Sequence, residues 1–198
     1  FCLFLSWGPP PDPYELVPGR YVERYDPEEL SMRANAEPLL PGASDHPASA
    51  TLRGPPVREW GPTTSTAYET GWRYEYDDQR EILALYYAAI TALDDQFGRL
   101  LDALDRAGAT DDTVVCYTAD HGDLLYSHGL NQKGGPHEES INVPFLVRWP
   151  GAIPAGAVSE TLLSTVDVAP SLLSLAGIDP PDAMEGTDLS GAMRGEDV

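Results

Sequence analysis

The chain has 198 residues, 42% of them hydrophobic and 22% charged, the balance of a globular protein with enough residues for one ordinary domain. Its charge is less ordinary: 32 acidic residues against 12 basic ones give a formal net charge of -20, and the basic set is eleven arginines and one lysine, Lys133. A field of that sign repels phosphate backbones and anionic headgroups, which sets aside nucleic-acid and peripheral membrane binding in a chain with no basic patch, and no apolar run nears the roughly 20 residues of a membrane span.

The chain opens in an apolar run, Phe1-Cys2-Leu3-Phe4-Leu5-Ser6-Trp7, of the length of a buried strand. Cys2 there and Cys116 further on, each in an apolar run, are expected to be buried reduced thiols with no disulfide framework. Residues 8 to 76 carry most of the prolines and read as a long connection outside the core, of the kind used for lids and binding loops. From 77 to 108 the pattern changes. Ile82, Leu85, Ala89, Ile90, Leu93, Phe97, Leu100, Leu101 and Leu104 recur every three or four residues, which predicts one amphipathic helix, with Asp77 or Asp78 as its cap and Gly108 at its end.

Thr113 to Thr118 is β-branched and apolar and reads as a buried strand, as does Val143 to Trp149, which stops at the turn signal Pro150-Gly151. A third apolar segment, Val158 to Leu163, precedes a short helix. Thr165 or Asp167 is expected to cap it, with Pro170 in its first turn and Leu172, Leu173, Leu175 and Ala176 on its buried face before Gly177. Strands alternating with helices predict α/β layering with at least part of the sheet parallel.

Ligands of open α/β sheets bind at the carboxyl ends of strands, and Asp120-His121-Gly122-Asp123 follows one there. One carboxylate and one imidazole from adjacent positions can fix two ligands of a divalent cation, although a surface turn uses the same residues. Ten residues on, the glycine-rich stretch from His128 to Glu139 holds the single lysine. A compact ammonium suits a tetrahedral oxyanion as a point charge; chance retention of one lysine is the plainer alternative. Glu138 and Glu139 read as anchors of that loop, and His128 and His137 as loop residues.

Several linked segments in one order resemble the type I sulfatases of the alkaline phosphatase superfamily. They are Tyr117 to Asp123, Ser127-His128-Gly129, Lys133-Gly134, Glu138 to Ile141, Val143 to Gly151, Thr165 to Leu173 and Glu185 to Leu189, joined by the helix through Leu93-Asp94-Asp95-Gln96-Phe97-Gly98. The resemblance implies an alkaline-phosphatase-like α/β fold, a mixed and largely parallel sheet flanked by helices. It implies hydrolysis of a small-molecule or carbohydrate sulfate ester at a divalent-metal site of the calcium type, with manganese or zinc open because imidazole is a softer ligand. By match, Asp120 and His121 would be metal ligands, Lys133 would hold a sulfate oxygen, and His128 and Glu138 would stand behind them. Phosphate or phosphonate ester hydrolysis, or a relic that binds without catalysis, are the alternatives.

The sequence departs from the family pattern in three places. No Cys/Ser-x-Pro-x-Arg motif, the source of the family's formylglycine nucleophile, occurs in the 198 residues, and the pair of aspartates that usually accompanies it is missing. The pattern Gly-Pro-Pro-His-x-Pro-Tyr stands here as Gly8-Pro9-Pro10-Pro11-Asp12-Pro13-Tyr14, so the histidine that would protonate the leaving group is replaced by Pro11. The expectation is that residues 1–198 are the later portion of a single catalytic domain whose nucleophile lies upstream.

Overall fold

A computed structural model describes residues 1–7, 17–37, 79–130, 133 and 135–196. The elements, in order, are α1 (Gly19–Val22), a 3-10 turn (Pro27–Glu29), the long helix α2 (Gln79–Arg106), β1 (Val115–Thr118), α3 (Glu138–Ile141), β2 (Phe145–Arg148), α4 (Thr165–Leu175) and α5 (Ser190–Met193). They divide between two compact units. The first is Phe1–Arg99 with Gly122–Ile141, the second Leu100–His121 with Asn142–Val198.

In the first unit, Ile82 and Leu83 of α2 bury against Leu125 and Tyr126, and Leu30, Met32 and Ala36 pack around them. Residues 17–37 are thus part of a core and not only a connection: Tyr21 is buried, and Tyr25 hydrogen-bonds Thr91 of α2 at 2.5 Å. The long helix forms as the three-to-four spacing predicts, but its buried face is Ile82, Leu83, Ala84, Ala88 and Ala89, and Ile90 is exposed. The helix ends at Arg106 and Gly108 follows in the left-handed region at φ 63°. Asp77 and Asp78, its expected caps, lie outside the described residues.

The second unit holds β1 and β2, paired antiparallel with Cys116 opposite Val147 and Tyr117 opposite Leu146. Both strands are half-buried and not fully buried as their composition suggests, and β2 alternates, Phe145 and Val147 inward, Leu146 and Arg148 outward. Among the described residues this antiparallel pair is the whole sheet, and the parallel pairing that the alternation of strands and helices predicts is not among them. Trp149, just beyond β2, donates its indole N–H to the Asp111 carbonyl at 2.8 Å, tying the strand end to the turn that leads into β1.

The helix α4 starts earlier than expected. Its cap is Ser164, whose N–H donates at 2.8 Å to the carboxylate of Asp167, three residues into the helix. Pro170 consequently sits in the second turn and removes the donor that would bond the Val166 carbonyl. Gly186 packs against that carbonyl: a Cβ at position 186 would lie 2.2 Å from the Val166 oxygen. The buried face carries Asp167, Pro170, Ser171 and Leu175, while Ala176 is exposed, because Asp167 and Ser171 bond the chain at 187–189.

Two further expectations are corrected. Phe1–Trp7 forms no strand and is exposed, Cys2 with it. Val158–Leu163 forms no strand, and Val158 and Leu162 stand in solvent. Cys116 is half-buried, and burial pushes its thiol pKa up.

Candidate active site

The last residue of β1 is Thr118, and Asp120 and His121 follow it in the second unit. The Asp120 carboxylate accepts from the His121 N–H at 3.0 Å and faces the imidazole Nε2 at 3.7 Å. Its side chain is 90% exposed and that of His121 35%. An oxygen and a nitrogen donor so placed fit two positions of a divalent ion's coordination shell. Calcium takes six to eight ligands, so a full shell needs donors beyond this pair; among the described residues no group of three or more His, Cys, Asp or Glu side chains converges.

Gly122 opens the stretch of the first unit that carries the lysine. Its backbone N–H donates to the Ser140 carbonyl at 2.8 Å, and a Cβ there would lie 2.1 Å from the Glu139 carbonyl oxygen. The sequence suggested a glycine for a sharp turn. The structure requires one for close approach, since Gly122 is not among the residues with positive φ.

From Gly122 the chain runs through Leu124, Leu125, Tyr126 and Ser127, all buried, to the exposed His128. Leu125, Tyr126 and His128 hold φ of 40°, 71° and 59°, a region that side-chain-bearing residues occupy at a cost. Hydrogen bonds offset it. Arg33 donates to the Asp123 and Leu124 carbonyls, each at 3.3 Å; the His128 N–H donates to the Asn35 carbonyl at 2.8 Å; and Ala36 bridges Ser127. Ser127 donates its hydroxyl to Asn35 Oδ1 at 3.2 Å, and Asn35 Nδ2 donates to Glu139 Oε1 at 2.8 Å. Asn35 holds the Glu139 carboxyl well below the usual carboxylate range, at about 2, helped by Ser127 and by the His128 imidazole 3.7 Å from Oε1.

Lys133 lies exposed in the first unit, in the segment between His128 and His137. The two imidazole rings that bracket it stand 4.9 Å apart. Of the two glutamates that open α3, Glu139 enters the hydrogen-bond network with Asn35, and Glu138 is exposed. Asn35 and Arg33 escaped the sequence reading. They stand some 90 residues from their partners, and no spacing rule links a polar pair at that distance. Pro11 lies outside the described residues.

Comparison with known proteins identifies the family. The Sulfatase family profile matches residues 17–178. An ulvan-active sulfatase of Formosa agariphila is 30% identical over 100% of this chain and 32% of its own length. Among solved structures, the complex of a protein with its substrate D-glucosamine-2-N,6-O-disulfate superposes with a TM-score of 0.57 at 35% identity, over 60% of this chain and 24% of that one. The phosphonate monoester hydrolase of Agrobacterium radiobacter gives a TM-score of 0.67 at 27% identity, over 95% of this chain and 36% of that one. The fold is the α/β fold of the alkaline phosphatase superfamily. Within that superfamily, the chain belongs to the sulfatase family, and it spans about a third of the length of the first curated relative it matches.

Proposed function

We propose that the protein hydrolyses a sulfate monoester, with Lys133 holding a sulfate oxygen and Asp120 and His121 supplying two ligands of a divalent metal, calcium by the family's habit. The family match over residues 17–178, which encloses all three, carries this reading. A bound metal would withdraw charge from the sulfate oxygens and stabilise the charge that builds on them. The chain's own part is electrostatic: an ammonium beside the transferring group opposes that charge where it grows. In a molecule of net charge -20, that local positive charge is also what an anionic substrate needs to enter. In this reading His128 and Glu138 act through Lys133 and not on the substrate.

The chain is a portion of a single sulfatase catalytic domain, and a sulfated carbohydrate is the favoured substrate class, by analogy with the complexed sugar disulfate of the solved relative. Phosphonate ester hydrolysis is the second reading, supported by the fit to the phosphonate hydrolase. Comparing rates on p-nitrophenyl sulfate and phenyl phosphonate with the natural protein distinguishes them; a preference for the phosphonate would replace the first reading by the second. Asp120→Ala is expected to abolish calcium binding measured by calorimetry, and unchanged affinity would remove Asp120 from the metal site.

A further inference from the structure

The segment 129–136 that carries Lys133 is bounded by two histidines whose rings meet. His128 and His137 stack at 4.9 Å between centroids with 32° between planes, so the two ends of the segment are held together at its base. The His137 ring also presses on Gly135, where a Cβ would fall 2.6 Å from the imidazole Nδ1. His128 is held in turn by Asn35, through the Asn35 carbonyl at 2.8 Å and the side-chain amide 3.3 Å from Nε2. The same amide donates to Glu139, two residues past His137. Asn35, 93 residues before His128 and 104 before Glu139, thus meets the chain on both sides of Lys133. A lysine side chain is long and flexible, and a loop anchored at one end only would let its ammonium wander. Closing the base limits the positions the ammonium can take.

We propose that Asn35, His128, His137 and Glu139 form a clasp that positions Lys133 for the sulfate group. They are positioning residues, acting through the lysine and not on the substrate. The proposal rests on the reading of Lys133 given above. The strained backbone at Leu125, Tyr126 and His128 fits it: such conformations persist where the surroundings over-determine them, and here the bonds to Arg33 and Asn35 do so.

The test is a double-mutant cycle in the natural protein with calcium present, reading the affinity for inorganic sulfate by calorimetry. Lys133→Ala is measured first. Asn35→Ala and His137→Ala are then made in the wild-type and in the Lys133→Ala backgrounds. Each clasp substitution is expected to weaken sulfate binding about tenfold in the wild type and less than twofold once Lys133 is gone. Equal losses in both backgrounds would mean general damage to the fold, and no loss in the wild type would mean that the clasp does not act on the lysine; either overturns the proposal while leaving the reading of Lys133 intact. If the wild type binds no sulfate, or Lys133→Ala binds it as well as the wild type does, the reading and the clasp fall together. Gly135→Ala provides a second route should Asn35→Ala not fold, because its methyl displaces only the His137 ring, and it must reproduce the same dependence on Lys133.

Discussion

Glu139 is ionised in the folded protein far into acid because an amide donor faces it at 2.8 Å. Its folded pKa of about 2 lies below the ordinary value of 4.5, so its contribution to stability is complete above about pH 4.5 and is lost as pH falls toward 2. Asp167, lowered by the N–H groups of Thr187 and Ser164, acts in the same direction. Glu139→Gln should therefore lower the melting temperature at pH 7, and the gap to the wild type should close by pH 2; a gap that stays constant across that range would contradict the assignment. Gly122 is the second decisive residue. A methyl there meets backbone and not a yielding side chain, so Gly122→Ala is expected to destabilise by about 1–3 kcal/mol in denaturant melts. Wild-type stability would show that the approach of Glu139 to Gly122 is not tight. Neither constraint is visible in a local string, since one comes from Asn35, 104 residues before Glu139, and the other from the Glu139 carbonyl lying against Gly122.

At the level of elements, periodicity located α2 and the composition of short apolar runs located β1 and β2. The residues that face inward were less legible. An alternation or a helical stripe says that one side is apolar, but which arc is covered depends on what approaches it; on α2 the approach of Leu30, Met32, Ala36, Leu125 and Tyr126 covers Ile82 and Leu83, and Ile90 is left exposed. On α4 the sequence pointed to leucines, and the structure buries a polar link: Ser171 donates to the Asp167 carbonyl at 2.6 Å and accepts from the Leu189 N–H at 2.8 Å. Ser171→Ala would leave a buried N–H without its acceptor, at a cost of about 1–3 kcal/mol. Urea titration of the variant checks this, and a loss well under that range would show that Leu189 finds another acceptor.

The whole molecule repels itself. With 32 acids against 12 bases, screening by salt should favour the compact state, because the Debye length falls to about 10 Å at 0.1 M and further above it. Raising sodium chloride from 20 mM to 1 M is expected to raise the melting temperature, and a flat or falling curve would mean that the acids are locally compensated. No described helix is long and apolar enough to cross a membrane, in keeping with the short apolar runs of the sequence.

The sequence by itself determined the family, because linked motifs in one order survive as local strings. It also determined where the long helix and the two strands lie, since periodicity is a local property. Only the tertiary structure decided what Asn35 and Gly122 touch. Asn35 meets Ser127, His128 and Glu139 across about a hundred residues of chain, and Gly122 meets α3, through contacts set by how segments pack and not by any neighbour in sequence.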